Sequence, residues 1–137
     1  MDYTAERNFT ARVENIPEIN AFVTAQAKKA GLNAKKNRQL ELIVEEAVIN
    51  ICRYAYEVPP GAVTVRIYDE IKKFMVEFED GGIPFDPLAA VDPDLNVGLD
   101  EREVGGMGIF LIRRMTDEMH YQRGDGRNIL TVTIYKP

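Results

Sequence analysis

The sequence has few of the features that would tie it to an oxidising compartment, a membrane or a nucleic acid. Its 137 residues include one cysteine, Cys52, so no disulfide can form within the chain, as is typical of a reducing compartment. No run approaches the ~20 consecutive apolar residues of a membrane helix, and residues 1–7 do not resemble a secretory signal. The formal net charge is −5, whereas nucleic-acid-binding domains carry a basic excess. We therefore expect a cytoplasmic protein that contacts neither membrane nor nucleic acid.

Internal repeats, low-complexity tracts and Pro/Gly-rich linkers are also missing, which predicts a single domain over residues 1–137. The pattern of apolar residues predicts the following elements: a strand over 7–13, helices over 17–31 and 33–56, a hairpin over 63–78, a long loop over 80–108, a helix over 108–115 and a hairpin over 119–135. This order predicts an α+β fold. We expect a two-layer α/β sandwich with a mostly antiparallel, mixed sheet and helices on one face.

The second predicted helix is apolar around nearly its whole circumference, as expected of a buried helix, yet it has polar residues in its middle. Glu46 and Asn50 are four residues apart and share one face, and Arg53 lies one turn further on. Burying a carboxylate and an amide without partners is costly. The pattern indicates either a cleft where Asn50 binds Mg²⁺ and Glu46 acts as a general base, or a hydrogen-bonded pair at the helix edge.

Two further segments contain glycines at the ends of predicted elements. Asp80-Gly81-Gly82 follows a strand, where a carboxylate can accept a hydrogen bond from an exocyclic amine close to exposed backbone; a plain turn is the alternative. The segment 105–109, Gly-Gly-Met-Gly-Ile, opens an apolar helix whose free N–H groups can bind phosphate; a loop-to-helix junction is the alternative.

In this order, the three motifs resemble the ATP-binding domain, of the Bergerat fold, that gyrase, histidine kinases and MutL-type ATPases share. Segments 46–56, 105–118 and 126–133 are more closely similar to the bacterial anti-sigma-factor serine/threonine kinases. The resemblance covers essentially the whole chain. It implies a serine/threonine protein kinase that uses ATP and Mg²⁺.

The resemblance also implies a role for each matched position. Glu46 would be the catalytic base, Asn50 would bind Mg²⁺, and Arg53 would lie near the phosphates. Residues from about Phe85 to Val104 would form a lid over ATP. The phosphates would be held by backbone N–H groups of the residues that follow: Gly105, Gly106, Met107, Gly108 and Ile109.

For the nucleobase, the resemblance implies that Asp80 binds the adenine amino group, that Gly82 lies below the ring, and that Thr131 lies near the adenine. Two positions depart from the family pattern. Pro84 stands where the wider superfamily often has a third glycine, and Tyr54 replaces a common histidine. Neither removes the implied metal ligand or base.

In this family the kinase phosphorylates an anti-anti-sigma-factor domain and also binds a sigma factor, usually as a homodimer, and the resemblance implies the same partners here. Two alternatives stay open. One is a nucleotide-dependent module that sequesters a partner without phosphorylating it, and the other is a degenerate structural domain without a ligand. Glu46 favours the kinase, because a binding module has no use for a base. The single histidine, His120, begins a predicted strand, and we expect it to be structural or exposed rather than a phosphoacceptor.

Overall fold

The computed structural model of the protein describes residues 2–56, 61–86 and 112–136. In chain order the elements are β1 (Ala5–Thr10), α1 (Ile16–Lys29), α2 (Ala34–Asn50), β2 (Ala62–Asp69), β3 (Lys73–Asp80), β4 (Glu118–Gly124) and β5 (Arg127–Tyr135). A 3-10 turn over Val13–Asn15 precedes α1, and a π-helical turn over Ile51–Ala55 follows α2. Within these three stretches, no helix is both long and apolar enough to span a membrane.

The five strands form one sheet in the order β1-β2-β3-β5-β4, and every pairing between them is antiparallel. The predicted α+β class is confirmed, although no parallel pair occurs among the described strands, so the sheet is not mixed there. Both predicted hairpins are present. In the β4–β5 turn, Asp125 and Gly126 have φ values of 53° and 72°, the left-handed pair that a tight hairpin turn requires.

The core lies between the two helices and one face of the sheet. Strand β3 shows the underlying pattern, because Phe74, Val76 and Phe78 are buried while the residues between them are half-buried. These side chains form one cluster with buried residues of both helices, among them Val23 and Ile43. Burying an apolar side chain of this size stabilises the fold by about 1.5–3 kcal/mol. The period of two in the strands therefore determines which face meets the helices.

The opposite face of the sheet is polar and is connected by ion pairs. Arg66 on β2 bonds Glu6 of β1 at 2.6 Å, and Glu77 and Glu79 of β3 at 2.9 and 3.0 Å. Arg127 of β5 bonds Glu79 at 2.9 Å. One network of charges thus joins four adjacent strands.

Two predicted elements have different bounds in the structure. The first strand ends at Thr10, not near Val13, because Val13 begins the 3-10 turn and is 54% exposed. The second helix is not buried all round as expected, since apolar Leu42 is 49% exposed and its neighbour Glu41 also faces solvent. It also changes to π-helical geometry after Asn50. Of the helix predicted over 108–115, the structure describes residues 112–115, which are helical.

Candidate functional site

A small cavity lies where α2 and its π-helical turn meet the end of β3 and the start of β5. Its volume is about 30 Å³, enough for one or two water molecules. The lining side chains come from five parts of the chain: Ala47, Asn50, Ile51, Ala55, Phe78, Asp80, Phe85, Tyr121, Asn128 and Leu130. The sheet and the helix therefore bring Asn50 and Asp80, which are distant in sequence, to the wall of one cavity.

Asn50, the last residue of α2, is only 4% exposed. Its Nδ2 donates to the backbone oxygen of Glu46 at 2.8 Å, and its Oδ1 is buried without a hydrogen-bond partner in the described chain. A buried acceptor left unpaired costs about 1–3 kcal/mol. The predicted alternative of a hydrogen-bonded pair is present in part, because Asn50 bonds Glu46 through the backbone oxygen of Glu46, but that bond leaves the amide oxygen of Asn50 unpaired. Its amide oxygen is thus available to a ligand.

Glu46 lies one helical turn before Asn50 and is half-buried. Burial raises the pKa of its carboxyl group above the ordinary value, the negative charge of Glu45 raises it further, and Arg53 lowers it by a smaller amount. A carboxylate with a raised pKa is a stronger proton acceptor near neutral pH. Arg53 belongs to the π-helical turn and is exposed. Such turns often occur at functional sites, because they change the direction of the side chains that follow.

Asp80, the last residue of β3, is 4% exposed. Its Oδ1 accepts hydrogen bonds from the backbone N–H of Gly82 and from Asn128 Nδ2, both at 2.9 Å. The side chain lines the cavity, so the structure places this carboxylate where a ligand in the cavity could meet it.

Gly82 lies where the turn after β3 packs against the end of the helix. A Cβ atom added there would be 2.0 Å from the carbonyl oxygen of Ala55, far inside van der Waals contact. The next residue, Ile83, donates its N–H to that same oxygen at 2.7 Å. Packing against the π-helical turn therefore accounts for glycine at this position without a ligand.

Thr131 is not among the residues that line the cavity, and its contact with adenine stays a prediction. Side chains alternate along β5, and Thr131 is an odd number of positions from the cavity residues Asn128 and Leu130. It pairs with Glu77 and lies on the opposite face of the sheet. Asn128, which the sequence reasoning missed, is the β5 residue paired with Asp80. Asn128 could have been found only from the register of β5 against β3, which pairs it with Asp80.

Several predicted contacts fall outside the described residues. These are the phosphate-binding positions Gly105, Gly106, Met107, Gly108 and Ile109, and residues 87–104 of the lid. At the start of that segment, Phe85 stacks on Tyr54 with ring centroids 5.2 Å apart. The tyrosine that departs from the family pattern thus packs beside the cavity. His120 is exposed on β4.

Comparison with curated proteins finds relatives named as serine/threonine-protein kinases and as an anti-sigma factor. The chain is 32% identical over 104 residues to the serine/threonine-protein kinase BtrW of Bordetella bronchiseptica, covering 75% of this chain and 73% of that protein. It is 24% identical over 131 residues to the serine-protein kinase RsbW of Bacillus cereus, covering 91% and 81%. It is 26% identical over 133 residues to the anti-sigma F factor of a Thermoanaerobacter species, covering 95% and 92%. The predicted resemblance to anti-sigma-factor kinases is confirmed.

Solved structures share the fold. The structure of the RsbU and RsbW domains of a Mycobacterium tuberculosis protein matches with a TM-score of 0.62 at 15% identity, over 98% of this chain and 34% of that one. The chain therefore spans about a third of the mycobacterial one. The nucleotide-free catalytic domain of the histidine kinase ThkA matches with a TM-score of 0.53 at 15% identity, over 99% and 98%. A family model described as the histidine kinase-like ATPase domain matches residues 9–134, and the chain belongs to that family.

Proposed function

We propose that this protein is an ATP-dependent serine/threonine kinase that phosphorylates an anti-anti-sigma factor and sequesters a sigma factor. The observation that carries the nucleotide site is the buried Oδ1 of Asn50, which has no partner in the described chain and lies on the wall of a cavity that Asp80 also lines. Relatives named serine-protein kinase and anti-sigma F factor support the reaction and the partners.

The residues present fit a magnesium ion bound together with ATP. Mg²⁺ prefers oxygen ligands, keeps several waters, and commonly takes one or two protein ligands plus nucleotide phosphates. The free amide oxygen of Asn50 is such a ligand. When bound, the ion would neutralise phosphate charge. Arg53, exposed on the turn that follows Asn50, would add positive charge near the phosphates.

The purine would lie against Asp80 and the apolar residues of the cavity, such as Phe78 and Leu130. Phe85, which follows the end of β3, also lines the cavity; its ring stacks on Tyr54 and its N–H donates to Asn128 Oδ1 at 3.3 Å.

Glu46 would accept the proton of the serine or threonine hydroxyl. The hydroxyl oxygen forms a bond to the γ-phosphorus of ATP, the bond from that phosphorus to the β–γ bridging oxygen breaks, and ADP leaves. The raised pKa of the Glu46 carboxyl group, caused mainly by burial, suits it to this role. A module that only sequesters a partner would not need this group, which is why the kinase is preferred. We further propose that the protein acts as a homodimer in the cytoplasm.

Calorimetric titration of ATP and ADP, with and without Mg²⁺, tests the nucleotide site. The wild type should bind ATP with Mg²⁺, and Asn50→Ala should lose the part of the affinity that depends on Mg²⁺. Thr133→Ala, on the opposite face of the sheet, is the control and should bind as the wild type does. No binding by the wild type at millimolar nucleotide would refute the proposal. Binding without phosphate transfer to a cognate partner would support the sequestering module instead.

A further inference from the structure

Asn128 occupies the start of β5, 4% exposed and paired with Asp80 in the β3–β5 register. Its Nδ2 donates to Asp80 Oδ1 at 2.9 Å and to the backbone oxygen of Ile83 at 2.7 Å. An amide nitrogen carries two hydrogens, so both are used. The nitrogen end of this side chain therefore joins the cavity carboxylate to the turn after β3.

The oxygen end of Asn128 accepts from three donors. These are the hydroxyl of Tyr121, Arg123 Nη1 at 3.2 Å and the backbone N–H of Phe85 at 3.3 Å. Rotating the amide by 180° would place its N–H groups against these donors and turn its oxygen towards Asp80. The surrounding donors thus allow one orientation of the amide. Arg123 Nη1 also donates to the backbone oxygen of Gly82 at 2.8 Å, which ties β4 to the same turn.

This arrangement leaves the two oxygens of Asp80 with different roles. Oδ1 already accepts from Gly82 and Asn128, whereas Oδ2 makes no hydrogen bond to any residue of the three described stretches. An ionised carboxylate can only accept hydrogen bonds. The ligand group that meets Oδ2 must therefore be a donor, as the 6-amino group of adenine is and the 6-oxo group of hypoxanthine is not.

We propose that Asn128, fixed in one orientation by Tyr121 and Arg123, is a positioning residue that aims Asp80 Oδ2 at the base and sets the preference for 6-amino over 6-oxo purine nucleotides. This inference rests on the proposed function, because it takes Asp80 to be the residue that meets the purine. Asn128 acts through Asp80 and need not touch the nucleotide.

The test is the ratio of dissociation constants for ATP and inosine triphosphate, measured by calorimetry on the full chain. Inosine triphosphate has a carbonyl where ATP has its exocyclic amine. The variant Asn128→Asp keeps the side-chain shape but replaces both N–H donors with acceptors, and it should lower the wild-type preference for ATP at least tenfold. Tyr121→Phe removes one of the fixing donors and should lower it about threefold. Thr133→Val, on the same strand but the other face, should leave it unchanged.

A ratio separates positioning from stability, because partial unfolding weakens the binding of both nucleotides equally. If the wild type prefers ATP and both Asn128→Asp and Tyr121→Phe keep that preference, the inference is wrong while the proposed function stands. If the wild type binds neither nucleotide, both fail. Should Asn128→Asp show no cooperative thermal transition, Tyr121→Phe decides by the same criterion: an unchanged ratio overturns the inference and a reduced one supports it.

Discussion

Replacing Gly82 with alanine tests the contact between the turn after β3 and the π-helical turn. The added Cβ would be 2.0 Å from the carbonyl oxygen of Ala55 and 2.5 Å from its carbonyl carbon. Both are backbone atoms, so no side chain can rotate away. The turn has to move outward. This movement lengthens the 2.7 Å hydrogen bond from the N–H of Ile83 to the carbonyl of Ala55, and it disturbs the hydrogen bond from the N–H of residue 82 to Asp80 Oδ1.

The cost follows from three contributions. Forcing an extra group into a packed site costs about 1–3 kcal/mol, and a lost hydrogen bond adds about 0.5–1.5 kcal/mol. The lower entropy of alanine in the unfolded chain returns about 0.4–1 kcal/mol. The net loss is about 0.5–4 kcal/mol, which for a domain of this size lowers the melting temperature by at least about 2 °C. The affinity for ATP should fall as well, because Asp80 loses a donor that orients it.

Gly124→Ala is a matched control, since a Cβ at that position meets no atom within 4 Å. It should change the free energy of unfolding by no more than about 0.5 kcal/mol. Thermal unfolding followed by circular dichroism, together with calorimetric titration of ATP, measures both effects. Equal melting temperatures for the two variants would refute the reasoning, because they would show that residue 82 does not press on Ala55.

Four further predictions concern the charged residues. Glu46→Gln should bind ATP as the wild type does but transfer phosphate to a partner at least about 100-fold more slowly, measured by single-turnover labelling; transfer at the wild-type rate would remove Glu46 from the mechanism. Because burial raises the pKa of Glu46, the transfer rate should fall with decreasing pH at a midpoint above the ordinary carboxyl pKa, and an ordinary carboxyl midpoint would contradict this. Arg66→Met should destabilise the fold by about 1–3 kcal/mol, since it leaves three carboxylates without their shared partner. Arg7→Met breaks an exposed ion pair and should cost under about 1 kcal/mol. Denaturant unfolding measures both. Burial alone would raise the pKa of Glu79, but the hydrogen bonds to Arg66 and Arg127 lower this pKa overall. The contribution of Glu79 to stability is therefore present above the ordinary carboxyl pKa and is lost as the pH falls below that value. A Glu79→Gln variant should accordingly show a smaller loss of melting temperature on acidification.

The strands and hairpins were predictable because their signals are local. Alternation along β3 gives the buried face, and the Asp125-Gly126 pair gives a turn whose φ values only such residues adopt readily. The π-helical turn after Asn50 has no comparable signal. It is stabilised by tertiary contacts, among them the bond from Ile83 to the carbonyl of Ala55, which no local pattern contains.

The site was predictable where residues lie on one element and not where it depends on strand register. Glu46 and Asn50 share a helix face, so their proximity follows from spacing alone. The partner of Asp80 depends on how β5 aligns with β3, and a slip of one residue exchanges the faces of a strand. For that reason Asn128, the partner of Asp80, was overlooked.

The same register has a consequence for the order in which the protein acquires its site during folding. Asp80 and Asn128 are partners across β3 and β5, yet their positions are separated by 48 residues, and closing a loop of that length costs about 3 kcal/mol of chain entropy. The hairpins β2–β3 and β4–β5 close over a few residues each and can form within microseconds. We therefore expect the two hairpins to form first and the cavity to appear only when they join. Recovery of ATP binding during refolding would then report the final step rather than the formation of secondary structure.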